Sequence, residues 1–131
     1  MKIAILTVTD NGKILGQSLM DHLINDSTVI KAEIFHKNVK YNIKNCFSEF
    51  NCIIGIMATG IMIRSICPLI NRKENDPAII VIDEKGKHVI SLLSGHLGGA
   101  NKLTLKIAEL IGSDPVITTS TDLNHKFGIS H

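Results

Sequence analysis

Residues 52–71 read CIIGIMATGIMIRSICPLIN, and this stretch decides the fold. Cys52 to Met57 is an unbroken apolar run rich in isoleucine, the kind of strand that is buried on both faces of a sheet. Ala58-Thr59-Gly60 turns the chain into a mostly apolar helix over 61–71, and Pro68 predicts a kink or an early stop in it. A buried strand that feeds a helix through a short turn is the repeating unit of an α/β fold.

The same unit recurs on both sides. Upstream, Ile3 to Val8 is a second buried run, Asn11-Gly12 breaks it, and residues 13–25 carry Leu15, Leu19 and Leu23 on one helical face. Val29 to Phe35 alternates as a strand, and 42–50 places Ile43, Phe47 and Phe50 on one side of a short helix. Downstream, Ile79 to Ile82 is another buried run, Asp83-Glu84-Lys85-Gly86 is a turn, and His88 to Leu93 pairs back as a hairpin. Ser94 to Gly99 is a glycine-rich loop. The helix after it carries Ala100, Leu103, Ile107, Leu110 and Ile111, is capped by Gly112, and leads to a last strand at Pro115 to Thr118. The expectation is a single α/β domain over 1–131: a three-layer α/β/α sandwich with a mainly parallel sheet and one β-hairpin, Rossmann-like without the dinucleotide fingerprint. The direction of 88–93 hangs on the link 72–78, which extends to about 25 Å and is long enough to cross a strand's length. Because 88–93 feeds a helix through a short loop, it is read as the parallel member of the hairpin.

Composition narrows the function. The chain has 131 residues, 44% of them hydrophobic and 20% charged, which suits a compact domain and not a disordered one. Its net charge of +2, with scattered lysines and few aromatics, argues against nucleic acid. No stretch approaches the roughly 20 apolar residues of a membrane span, and the N-terminus lacks a signal peptide's pattern. Cys46, Cys52 and Cys67 are odd in number and without CxxC spacing, so they read as thiols of a reducing compartment, and the expected location is the cytoplasm. His22, His36, His88 and His125 lack metal-ligand spacing and are read as surface or core residues; no metal is expected.

Ligands of open α/β sheets collect beyond the carboxyl ends of the strands. Four polar or glycine-rich segments are expected to converge there: Thr7–Asp10, Ala58–Gly60, Ser94–Gly99 and Thr118–Asp122. In SGHLGGAN, the glycines before the helix free backbone amides for an anion, and His96 suits a general acid or base. The plainer alternative is a glycine turn with an exposed histidine. Arg64, one of two arginines, follows a strand-end turn and suits a carboxylate; a structural ion pair is its alternative. Asn101 and Asp122 either orient His96 or substrate, or act as caps. GIMATG at 55–60 has a phosphate-loop spacing, but Ile61 and Met62 stand where Lys and Ser/Thr belong, which makes a nucleotide-binding domain a poor alternative. Asp83-Glu84 is read as a turn rather than as catalytic.

MATGIMIRSICPLI (57–70), DPAIIVIDEKGKHVISLLSGHLGGAN (76–101) and PVITTSTD (115–122) together resemble the cobalt-precorrin-5A hydrolase family (CbiG) of anaerobic cobalamin biosynthesis. The resemblance runs in order over 57–122, and over 1–56 in strand–helix pattern alone. Ser120 stands where the family more often has a small apolar residue. The resemblance implies an enzyme that opens the ring-A δ-lactone of a cobalt-bearing, polycarboxylated tetrapyrrole, cobalt-precorrin-5A, and releases acetaldehyde to give cobalt-precorrin-5B. It implies no organic cofactor, since the corrinoid brings its own cobalt and takes up the carbanion charge. Family members usually run further at the C-terminus, so the chain is expected to be an N-terminal domain of a longer protein, with a C-terminal domain or a second copy as partner. The alternative is a corrinoid-binding domain that leaves the chemistry to that partner.

Placed on these positions by physical argument, His96 is the expected acid/base, with the amides of Gly98, Gly99 and Ala100 as oxyanion cradle. Thr59, Gly60 and Arg64 are expected to hold a peripheral carboxylate, with Ser94, Asn101 and Asp122 as further binding residues.

Overall fold

The computed structural model describes residues 1–71, 75–94 and 99–119. Its elements are β1 (Lys2–Thr7), α1 (Asp10–Leu23), β2 (Lys31–His36), α2 (Val39–Cys46), β3 (Cys52–Ile56), α3 (Thr59–Ile66), β4 (Ala78–Ile82), β5 (His88–Leu93), α4 (Ala100–Ile111) and β6 (Asp114–Val116). The six strands form one sheet in the order β2-β1-β3-β4-β5-β6.

Alternation along each strand builds the three layers. Ile3, Ile5, Ile54, Ile56 and Ile80 point to the face covered by Leu19 and Leu23 of α1 and by Leu103 and Ile107 of α4. Ala4, Leu6, Ile53, Ile79 and Val81 point to the other, against Ile43 of α2 and Met62 and Ile66 of α3. Gly55 belongs to the second face, where a Cβ would overlap the methyl of Met62, so its missing side chain is what lets α3 lie close.

Two local readings change. Asn11-Gly12 does not break the chain before α1 but lies inside its first turn: Thr9 is the N-cap, and its Oγ1 accepts the Gly12 N–H at 3.0 Å. Gly12 is needed for closeness, since a Cβ there would stand 3.2 Å from Thr9 Oγ1 and 3.4 Å from Ile56 Cγ2. α3 begins at Thr59 and ends at Ile66, two residues short of Pro68, as an early stop requires.

The larger correction concerns β5. β1, β2, β3 and β4 are mutually parallel, whereas β5 pairs antiparallel with β4, and β6 is parallel to β5. The link before β4 does not cross the sheet. The Asp76 carboxylate accepts the Asn71 N–H at 3.2 and 3.3 Å, and the Ala78 N–H donates to Asn51 O at 2.9 Å, beside the start of β3. β3-α3-β4 is thus an ordinary parallel crossover, and the tight turn after Ile82 forces β5 to run back. The strand–helix–strand unit β5-α4-β6 exists, but it is inverted relative to the other four strands.

Candidate functional site

The inversion of β5 divides the expected site between the two ends of the sheet. Thr59, Gly60 and Arg64 lie where β1 to β4 end. Ser94, Gly99, Ala100 and Asn101 lie at the opposite end, because Leu93, the last residue of β5, pairs with Ile79 near the start of β4. His96, Gly98 and Asp122 fall outside the described residues. The four segments therefore do not converge on one edge.

At the C-terminal edge of the parallel strands, Thr7 and His36 are register partners on β1 and β2. Thr7 is fully buried, and its hydroxyl lies 2.7 Å from His36 Nδ1. The ring's other nitrogen, Nε2, stands 3.8 Å from Asp10 Oδ1 in the first turn of α1. Next to them, the Thr9 hydroxyl donates to Glu84 Oε2 at 2.7 Å, tying the end of β1 to the hairpin turn. Val8, Thr9, Met57, Ile61, Asp83 and Glu84 line a pocket of about 370 Å³ there.

The Asp83 carboxyl is pushed up by burial, but the backbone N–H groups of His88, Lys87 and Lys85 and the His88 ring bring it below its ordinary value. Its role is the turn the sequence implies: Oδ1 accepts from His88 at 2.6 Å and Lys87 at 3.0 Å, and Oδ2 accepts from Lys85 at 3.2 Å.

A second concavity of about 510 Å³ opens between α2 and α3, lined by Asn38, Val39, Lys40, Tyr41, Ile61, Arg64 and Ser65. Arg64 is exposed, and its guanidinium folds over Gly60, where a Cβ would sit 3.4 Å from both Nη atoms. Among the described residues Arg64 has no carboxylate partner, so the structural ion pair is not what holds it.

The opposite edge is built differently. Asn101 is 7% exposed; its Oδ1 accepts the Ser91 hydroxyl at 2.6 Å and its Nδ2 donates to Thr119 Oγ1 at 2.7 Å. Asn101 thus ties β5 and the segment after β6 to the first turn of α4. Gly99 is the exposed N-cap of α4, without a side-chain cap, and the Ala100 N–H donates to Ser94 O at 3.4 Å. Gly99 and Leu103 border a pocket of about 580 Å³ whose charged side chains, among the described residues, are Glu49 and Asp76. Cys52 also lines it, and burial pushes its thiol up to about 12.

Sequence reading takes His36 as a surface or core residue and passes over Lys40 and the Thr9–Glu84 contact. The available signal was Thr7, a polar residue ending an apolar strand that therefore needs a buried partner. Among the described residues, no three His, Cys, Asp or Glu side chains cluster to hold a metal ion, and no helix is long and apolar enough to cross a membrane.

Residues 42–122 match the family model described as cobalamin synthesis G N-terminal. A cobalt-precorrin-5A hydrolase of Salmonella typhimurium is 57% identical over 81 residues, which covers 62% of this chain and 23% of that protein. The cobalt-precorrin-5A hydrolase of Priestia megaterium is 42% identical over 91 residues, covering 70% and 24% respectively. Among solved structures, a cobalamin biosynthesis protein G homologue from Sulfolobus solfataricus superposes with a TM-score of 0.79 at 26% identity, over 94% of this chain and 39% of that one. The matches span about a quarter of the length of these two hydrolases. The three-layer fold and the motifs over 57–122 thus lead to one statement: the chain belongs to the cobalamin synthesis G N-terminal family.

Proposed function

We propose that this chain is the N-terminal domain of a cobalt-precorrin-5A hydrolase, acting in cobalamin biosynthesis on the ring-A lactone of that cobalt corrinoid. The observation that carries the reading is the 57% identity to the Salmonella typhimurium hydrolase. Hydrolysis of the lactone adds one water and leaves a carboxylate and an alcohol. A base then takes the alcohol proton, the adjacent C–C bond breaks, acetaldehyde leaves, and the electron pair passes to the corrinoid ring. The steps need an activated water, donors for the developing oxyanion and a proton for the leaving alkoxide. No organic cofactor is required, and cobalt enters as part of the substrate.

Two histidines are candidates for the proton transfers, one for each edge. His36, oriented by Thr7 and near Asp10, serves the edge with Arg64, which has no carboxylate partner among the described residues. His96, with the amides of Gly98 and Gly99 as cradle, serves the other; the Ala100 N–H is taken by Ser94 O. Either edge can be completed by the rest of a longer protein or by a second copy. A second reading, a corrinoid-holding domain without chemistry of its own, is favoured by the share of the relatives' length that the chain spans.

Anaerobic incubation of the chain with cobalt-precorrin-5A, assayed for acetaldehyde, tests both readings. Release makes the domain sufficient. Corrinoid binding without release, with activity restored by the remainder of the hydrolase, selects the holding domain. No binding and no release, with or without that remainder, overturns both.

A further inference from the structure

We propose that the groove between α2 and α3 is a carboxylate subsite, in which Lys40 and Arg64 hold one peripheral acetate or propionate arm of a tetrapyrrole. The proposal rests on the corrinoid reading above and adds to it where the substrate is held. The charge of the three concavities separates them. Among the described residues, the pocket at the hairpin carries Asp83 and Glu84, and the pocket beside Gly99 carries Glu49 and Asp76 besides the Met1 amino terminus, which donates to Thr28 O. The α2/α3 groove carries Lys40 and Arg64, and none of its described lining residues is acidic. Neither cation takes part in an ion pair among the described residues, so the charge is available to an incoming anion. Of the three, the α2/α3 groove is the one whose described charged side chains are all cationic, and it is the one that draws a polycarboxylate.

The groove is also shaped for such a ligand. Val39, Tyr41 and Ile61 supply apolar surface beside the two charges, and Tyr41 is 70% exposed, a large ring with little of its area packed. That combination fits a flat, apolar ring edge bearing a carboxylate arm. The approach to α2 is held rigidly. Lys37 and Asn38 both have positive φ, 66° and 49°, a left-handed conformation that is strained for a lysine. The Asn42 amide donates to Lys37 O at 2.8 Å, and the Lys37 N–H donates to Thr7 O at 2.7 Å. This strained turn aims the first turn of α2, and Lys40 with it, at α3. On the facing helix the guanidinium is laid over Gly60, close to its backbone. A planar fork held in this way suits a carboxylate better than a free lysine would.

The test uses metal-free uroporphyrin I, with eight carboxylates, and its octamethyl ester, each titrated into the chain and followed by porphyrin fluorescence. The acid is expected to bind and the ester not. K40M and R64M are each expected to weaken binding of the acid about tenfold, and R64K to restore only part of the loss, because a lysine lacks the fork. Both residues are exposed, so the variants should keep the thermal midpoint of the parent, which is checked in parallel. Equal binding by parent and variants, equal binding of acid and ester, or no binding of the acid by the parent each overturns the subsite. None of these results touches the reaction, which is judged by acetaldehyde. Conversely, a hydrolase that releases no acetaldehyde removes the reaction and leaves the groove to be judged by the porphyrin titration alone.

Discussion

The hydroxyl of Thr7 lies 2.7 Å from Nδ1 of His36, across two parallel strands and 29 positions of sequence. Thr7 is fully buried, so its hydroxyl must find a partner inside the fold, and the imidazole is that partner. The same contact fixes the ring, leaving Nε2 to face Asp10 and the crevice at the strand ends. T7V keeps the shape of the side chain and removes the bond. It is expected to cost about 1 kcal/mol in urea unfolding, the usual net value of such a contact. An unchanged unfolding midpoint would show that the bond does not hold the ring.

The three cysteines should separate cleanly by reactivity. Burial alone pushes the Cys52 thiol up to about 12, and burial, followed by Glu33 and Glu49, pushes Cys46 to about 11. Cys67 is exposed. At about pH 8 a thiol-disulfide reagent should therefore modify Cys67 promptly and reach the other two only after denaturation, because the thiolate is the reacting form. Both buried thiols are raised above the ordinary 9.0, so the folded chain holds protons that the unfolded chain has already lost. Stability should be intact below about pH 9 and fall as the pH climbs toward 12. Rapid modification of more than one thiol in the folded chain would contradict this.

Asp83 predicts the opposite limb. Burial alone would raise its carboxyl, but the N–H groups of His88, Lys87 and Lys85 and the His88 ring lower it below 3.8. Its contribution is present above that value and disappears as the pH falls through the lower, folded one. D83N should lose less stability than the parent on going from about pH 5 to about pH 3. It should also start from a lower midpoint, since an amide accepts hydrogen bonds less strongly than a carboxylate. Parallel pH curves for the two would remove Asp83 as the hairpin's anchor.

The parts of this fold that can be read in the chain are the local ones. The apolar run Ile3–Val8, the stop ahead of Pro68, the turn at Asp83–Gly86 and the left-handed Gly112 after α4 all follow from neighbours a few residues apart. The direction of β5 does not, because a seven-residue link has the reach for either arrangement and the choice is made by Asp76 and Ala78 docking at the start of β3. That single choice moves Ser94, Gly99, Ala100 and Asn101 to the far end of the sheet from Arg64. His36 was illegible for a related reason: its partner is set by the register of β1 against β2 and by no local spacing. Lys40 is one of 12 lysines, and only the packing of α2 beside α3 sets it apart.

The two histidines give the decisive pair of variants. The parallel strands β1 and β3 are six and five residues long, so the edges that carry Arg64 and Gly99 lie roughly 16–20 Å apart. Groups so separated cannot act on one bond of one substrate within a single chain. If the substrate's carboxylates dock at Lys40 and Arg64, proton transfer must come from the same edge, where Thr7 holds His36. In the proposed hydrolase, H36Q is therefore expected to lower acetaldehyde turnover by about 10²–10⁴-fold, the range for loss of a general acid or base, with little change in KM. H96A is expected to retain turnover. The pH profile separates a chemical role from a structural one: loss of His36 as acid/base should remove one limb of the parent's profile, whereas a merely loosened site should scale the whole curve. If H96A loses turnover and H36Q does not, bond cleavage belongs to the edge at Ser94 and Gly99, and its anion cradle is the start of α4.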